Sequence, residues 1–343
     1  MTLDTRISRR RVLLSAAALG AAGLVGCSTP TEVRLGIAFG TQPLWRAIAV
    51  RKEQLEKALG APLRFTVYES EAEVRAAFRE GKLDIIAAQP SQLPQIRNDV
   101  GPVQMFLAIA WVAESLPMIT SVDAPFQSIA DLVGRRLSVA GLADPGFAYW
   151  RAFVLGAHQF RIEDRIELVS GIENPGPAVL NGTVDAATVT SALWASFKPT
   201  GRFRQVSDLS AAWRSAGGGQ PAPIFGGYLA RRGWIERNRP VVDALARVTA
   251  VAFEEYRHDP SAFVTSAAAY ANGPFGPRPP AEVSAIAAYL GMDAVSLDRI
   301  VVGEPDVTAY RRIFDLMARA GAIPSAPANP DELFLALPAR SSA

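Results

Sequence analysis

Tryptophans, hydroxyl side chains and glutamines stand just past several strand-like apolar runs in this 343-residue chain. They fall into groups: Thr41, Gln42 and Trp45; Gln89 and Ser91; Trp111; Gly141, Asp144 and Phe147; Thr190, Ser191 and Trp194; and Tyr228 on a later strand. Residues of these types bind rather than react. Rings stack on planar ligands or face cations, contributing roughly 0.5–2 kcal/mol each. Amides and hydroxyls orient a ligand by hydrogen bonds. Asp144 either caps a helix or pairs with a ligand ammonium or ring N–H. The pattern predicts a cleft for a small planar, aromatic or aminic molecule. Helix N-termini near residues 43 and 145 would instead suit a sulfonate- or nitrate-type anion.

Nothing in the sequence assembles a catalytic centre. His158 and His258 have no metal-ligand neighbour at i+3 to i+5. No Gly-x-Ser-x-Gly elbow is present. Cys27 is the single cysteine, which excludes an internal disulfide or a thiolate metal site. No enzyme activity, cofactor or metal is expected. Glu69, Glu71 and Glu73 form a charge run that suits a helix start and needs no further role.

The N-terminus carries an address. Ser8-Arg9-Arg10-Arg11-Val12-Leu13-Leu14 is a twin-arginine-like run, and the apolar stretch to Gly26 is short for a membrane span. Leu24-Val25-Gly26-Cys27 resembles a bacterial lipoprotein signal box. Residues 1–26 are therefore expected to be a signal peptide, Cys27 to be lipidated, and 27–32 to be a tether. The expected location is periplasmic and membrane-anchored through that lipid, with the twin arginines pointing to the export route. Removal of the leader takes four arginines and one aspartate, so the net charge of +2 becomes −1. The basicity belongs to the leader, and a nucleic-acid partner is not supported.

The elements that must place these groups follow from periodicity. Val33, Leu35, Ile37 and Phe39 alternate as a strand, and Leu44, Ile48, Leu55 and Leu59 recur as a helix stopped by Gly60. Strands follow near 63–67, 83–88, 104–112 and 117–122, with a helix over 71–80. The order then restarts: a short helix at 128–132, a strand at 136–140, and a helix from Asp144-Pro145 to about His158. Further strands are expected at 166–169 and toward Val189. Gly182-Thr183-Val184-Asp185 echoes Gly81-Lys82-Leu83-Asp84, which suggests two similar lobes. Pro223 to Ala230 predicts a strand returning to the first lobe. Helices are expected at 234–257, 260–271, 281–290 and 306–320, with an extended wrap over 324–330.

At these residues the sequence resembles the substrate-binding proteins of ABC importers in the nitrate/sulfonate/taurine group, related to the pyrimidine-binding branch. The resemblance rests on Val33-Arg34-Leu35-Gly36, Gly81-Lys82-Leu83-Asp84, the run from Ser128 to Val139, and Asn181 to Asp185. It spans about residues 33–230. Where many relatives carry an aromatic-acidic pair, this chain has Thr190-Ser191. The resemblance implies an α/β fold of two doubly wound lobes joined by a two-crossing hinge, the type II periplasmic-binding-protein fold. It also implies ligand capture between the lobes and delivery to an ABC permease in the inner membrane. The expected lobes are 33–120 with 225–343, and 121–224, with crossings near 117–123 and 222–228. The chain is expected to be monomeric. The alternatives are a ligand-sensing lipoprotein without transport and an enzyme on the same fold.

Overall fold

A computed structural model describes residues 31–38, 52–111, 116–219, 222–259 and 300–336. The alternating apolar residues of β1 (Val33–Ala38) are buried, and the strand lies between two parallel partners, β2 (Leu63–Tyr68) and β3 (Ile85–Ala88). Beyond β3, the antiparallel strand β10 (Ile224–Arg231) separates it from β4 (Val103–Trp111). The sheet order is β2-β1-β3-β10-β4.

A second sheet repeats the plan. It holds β5 (Met118–Ser121), β6 (Arg136–Ser138), β7 (Glu167–Val169), β8 (Ala186–Thr188) and β9 (Phe203–Ser207), in the order β7-β6-β8-β5-β9. Again three parallel strands are followed by one antiparallel strand and then a fifth. The fold is that of two doubly wound lobes.

The echoed aspartates explain why the repeat is visible in the sequence. Asp84 accepts from the Arg34 backbone N–H at 2.9 Å and from its guanidinium at 2.9 and 2.7 Å. Asp185 accepts from the Arg136 backbone N–H at 2.8 Å, while its own N–H donates to the Arg136 carbonyl at 2.8 Å. In each lobe, one carboxylate satisfies an N–H at the start of the neighbouring parallel strand, the second of β1 and the first of β6.

The described helices are α1 (Lys52–Leu59), α2 (Glu71–Arg79), α3 (Leu93–Val100), α4 (Phe147–His158), α5 (Ile162–Arg165), α6 (Pro175–Leu180), α7 (Ser191–Phe197), α8 (Leu209–Ser215), α9 (Arg232–Arg237), α10 (Arg239–His258) and α11 (Glu304–Arg319). Ser70 caps α2 by accepting from the Glu73 N–H, and Glu73 returns a bond to the Glu69 N–H. Val74, Ala77 and Phe78 form its buried stripe.

Three expectations shift. The first crossing falls between Trp111 and Met118, ahead of 117–123, because all of β5 pairs within the second sheet. The single helix expected over 234–257 divides at Asn238, whose φ of −122° is not helical and whose side chain donates to the Trp234 carbonyl. The helix expected from Pro145 becomes regular at Phe147. The helices expected at 260–271 and 281–290, the signal peptide and Cys27 lie outside the described residues.

α11 joins the two lobes. Around its ends, Ile300 accepts from the Ala108 N–H, and the Leu335 N–H donates to the Met105 carbonyl, both at 2.8 Å on β4. Its buried face, with Tyr310, Ile313, Phe314 and Met317, belongs to the same apolar core as Tyr149, Trp150 and Phe153 of α4. The two lobes thus share one continuous core through this helix pair. Among the described residues no helix is long and apolar enough to cross a membrane.

Candidate functional site

Strand ends place the site, as the fold class dictates. The chain leaving β3 turns at once through a 3₁₀ turn, Pro90–Gln92, whose Ser91 and Gln92 are buried. The loop from β6 to α4 brings Leu142 to Pro145 from the other lobe to the same place. Between them lies a groove of about 1020 Å³. Glu71, Arg75 and Arg97 line the first-lobe wall, and residues 322–329 form a third wall. That third wall is held by two ion pairs, Arg97 to Glu332 at 2.6 Å and Arg311 to Asp331 at 2.6 Å.

The lobes touch at the groove. Ser91 Oγ donates to the Pro145 carbonyl at 3.1 Å. Gln92 holds the surrounding frame: its Oε1 accepts from the Gln89 N–H at 3.0 Å, and its Nε2 donates to Glu71 Oε2 at 2.7 Å. Asp144 Oδ1 accepts from the Phe147 N–H at 2.8 Å, so this carboxylate occupies the N-terminus of α4. Burial pushes the Glu71 carboxyl up, the Gln92 amide opposes this, and the Asp144 charge across the groove adds to the rise. Burial also pushes Asp144 up, against the pull of the Phe147 and Gly146 N–H groups. Two carboxylates, one from each lobe, therefore line one groove, and burial disfavours the ionised form of each.

The structure brings Ser91 and Asp144 together at the groove. Gly141 stands at the start of the same loop, with open space beside its Cα. Gln89 is half-buried at the end of β3, and its Oε1 accepts no hydrogen bond among the described residues. The rings sit elsewhere. Phe147 (2% exposed) and Tyr228 (0%) lie in the main core, and Trp194 (7%) in a smaller second-lobe cluster with Ile119, Val184 and Phe203. Thr190 caps α7 by accepting from the Leu193 N–H at 3.2 Å. Trp111 ends β4 and Ser191 begins α7, positions described for the backbone. Thr41, Gln42 and Trp45 lie outside the described residues.

Sequence reasoning missed Glu71 and the third wall. Glu71 directly follows the turn after β2, so the strand-end rule that selected Gln89 and Asp144 would have found it. Among the described residues no cluster of three or more metal-ligating side chains exists.

A family model for the phosphonate periplasmic substrate-binding protein of ABC transporters matches residues 45–221, just over half the chain. No curated protein matches by sequence. The aliphatic sulphonate-binding protein SsuA of Escherichia coli superposes with a TM-score of 0.69, 16% identity, and coverage of 92% of this chain and 95% of that one. SsuA of Xanthomonas axonopodis pv. citri, solved with bound MOPS, gives 0.65, 14%, 89% and 98%. A sulfonate-binding SsuA of Methylobacillus flagellatus gives 0.66, 15%, 90% and 92%. At these identities the solved structures establish the fold, the type II periplasmic-binding-protein architecture. With the family model covering more than half of its length, the chain belongs to the phosphonate family of periplasmic substrate-binding proteins of ABC transporters.

Proposed function

We propose that this protein captures a small solute bearing an ammonium or ring N–H in the groove between its lobes. The observation that carries this reading is the pairing of Glu71 and Asp144 across the groove, one from each lobe and both half-buried. A cationic group between them would offset the burial that disfavours their charged forms and let both ionise. It would contact both lobes at once, which is what a ligand must do to favour closure. An anion is less well served here, because the Asp144 carboxylate already occupies the N-terminus of α4. The core positions of Phe147, Trp194 and Tyr228 support packing over ring stacking on a ligand.

The two moving bodies are taken as the expected 33–120 with 225–343, and 121–224, except that β5 moves with the second sheet in which it pairs. Cys27 carries the lipid that holds the protein at the membrane beside its permease, the twin arginines direct its export, and the protein acts as a monomer. Its role is binding rather than catalysis.

A thermal-shift screen of amines, pyrimidines, phosphonates and sulfonates tests the ligand class. Stabilisation by amine-bearing compounds, lost in Asp144→Asn, supports it. Stabilisation by sulfonates or phosphonates alone, retained in Asp144→Asn, overturns it. Partition of the expressed full chain into detergent, lost in Cys27→Ser, tests the anchor.

A further inference from the structure

Helix α4 joins the groove to the hinge through hydrogen bonds made just before it and in its first turn. Ser91, which lines the groove, donates its hydroxyl to the Pro145 carbonyl at 3.1 Å. Pro145 leads directly into α4, which carries Tyr149. Tyr149 and Tyr310 place their hydroxyls 2.8 Å apart. Tyr310 donates to the carbonyl of Ile224, the residue at which the second crossing enters β10. Each hydroxyl has one proton, which fixes the directions. Ser91 spends its proton on Pro145 and Tyr310 on Ile224, so Tyr149 donates to Tyr310.

The next residue of α4 holds the other crossing. Trp150 Nε1 donates to the Leu116 carbonyl at 3.1 Å. Leu116 lies in that crossing with φ of 46°, in the left-handed region that a leucine rarely adopts. Such conformations persist where surrounding contacts hold them. Tyr149, Trp150 and Tyr310 are all fully buried. The Phe225 ring, one residue into β10, sits 5.3 Å from the Tyr149 ring. A Cβ on Gly146 would collide with Leu116 and stand 3.4 Å from Phe225. Successive residues of one helix therefore grip both crossings, and the same helix begins at the groove with Asp144.

We propose that Tyr149, Trp150 and Tyr310 are positioning residues that set ligand affinity without touching ligand, by coupling the Ser91–Pro145 contact to the two hinge crossings through α4. The inference rests on the groove being the capture site, and the empty protein provides a readout independent of ligand class. Ligand that draws Pro145 toward Ser91 would turn α4, and α4 would carry Leu116 and Ile224 with it. Without the relay, closure would have to be re-formed at each crossing separately.

The test compares wild type with Tyr310→Phe, Trp150→Phe and, as a milder change, Tyr149→Phe. Small-angle scattering of the empty protein reports lobe separation, amide exchange reports residues 116–119 and 224–228, and thermal melts report folding. Binding is measured with putrescine and 2-aminoethylphosphonate as probes. The expected result is an expanded empty protein and several-fold faster exchange at both crossings, in variants that still melt cooperatively. Affinity for a binding probe should fall three- to tenfold. A purely packing role would lower the melting temperature and leave scattering and crossing exchange at wild-type values in every variant that folds, and that result overturns the proposal. If neither probe binds wild type while the expansion appears, the relay stands and the amine-ligand reading fails.

Discussion

Ser91 of the first lobe donates its hydroxyl to the Pro145 carbonyl of the second, 3.1 Å away at the groove. A bond of this kind is worth about 1 kcal/mol net. Ser91→Ala is therefore expected to raise the Kd of a ligand held between the lobes about fivefold. The melting temperature of a lobe core that does not include Ser91 should change little. Isothermal titration alongside a melt checks both, and unchanged affinity would remove this contact from the closing mechanism.

The pH dependence of the groove has a defined sign. Burial raises the Glu71 and Asp144 carboxyls above their ordinary range, so the folded protein holds their protons more tightly than the unfolded chain does. Stability is then fully present below the ordinary carboxyl range and is lost as pH rises through the raised values. Glu71→Gln keeps an acceptor for the Gln92 amide and removes the charge. It is expected to stabilise the empty protein at pH 7 and to flatten its melting temperature between about pH 4 and 7. Binding of an amine should move the opposite way and weaken on acidification, because the ionised pair is what attracts it. A steeper stability profile in Glu71→Gln would contradict this account.

The two strand-entry aspartates are expected to differ in weight. Asp84 makes three bonds to Arg34, and its side chain is only 12% exposed. Asp185 has a looser guanidinium contact at 3.7 Å and is 25% exposed. Each substitution to Ala orphans a strand N–H, a loss of about 1–3 kcal/mol. Asp84→Ala should fall at the upper end and Asp185→Ala at the lower. Urea titration gives the order, and a reversed order would mean that the charge pair contributes little.

Much of the fold was legible because its signals are local. Period-two runs gave the strands, glycines such as Gly81, Gly134 and Gly182 stopped the preceding turns at positive φ, and the repeated Gly-x-x-Asp entry marked the duplication. The site was legible where strand ends project directly into the groove, at Ser91 and Asp144. It was not legible for the rings. Phe147 and Trp194 follow strand ends in sequence, but each already lies on a helix, and helical rotation carries it to the core face. Tyr228 sits within β10, flanked by β3 and β4 and fully buried. Glu71 has a sufficient local reason to stand at a helix start. Its bond from Gln92 and the charge of Asp144 come from distant segments, which no neighbouring residue announces.

Trp194 follows from this. With 7% of its surface exposed, among Ile119, Val184 and Phe203, it anchors the smaller cluster of the second lobe. Trp194→Ala is expected to cost about 3–5 kcal/mol of stability. Loss of affinity in a variant that retains the wild-type denaturation midpoint would instead return this residue to the ligand.

Gly227 tests the join between β10 and its neighbours. A Cβ there would collide with the Leu107 backbone carbonyl and the Met105 side chain, and a carbonyl cannot swing aside as a side-chain tip can. Gly227→Ala is expected to cost about 1–3 kcal/mol by forced displacement of the strand. A denaturation midpoint equal to wild type would show that β4 shifts freely.

The place of β10 in the first sheet also dictates an order of birth. β3 and β4 do not touch; the strand between them is made more than a hundred residues later, after the entire second sheet. A ribosome that has released the chain through Ser207 has supplied every strand of the second sheet but has left β4 without its neighbour. The half of the molecule that is begun first is thus completed last, and until then its unpaired edges need shelter from other chains.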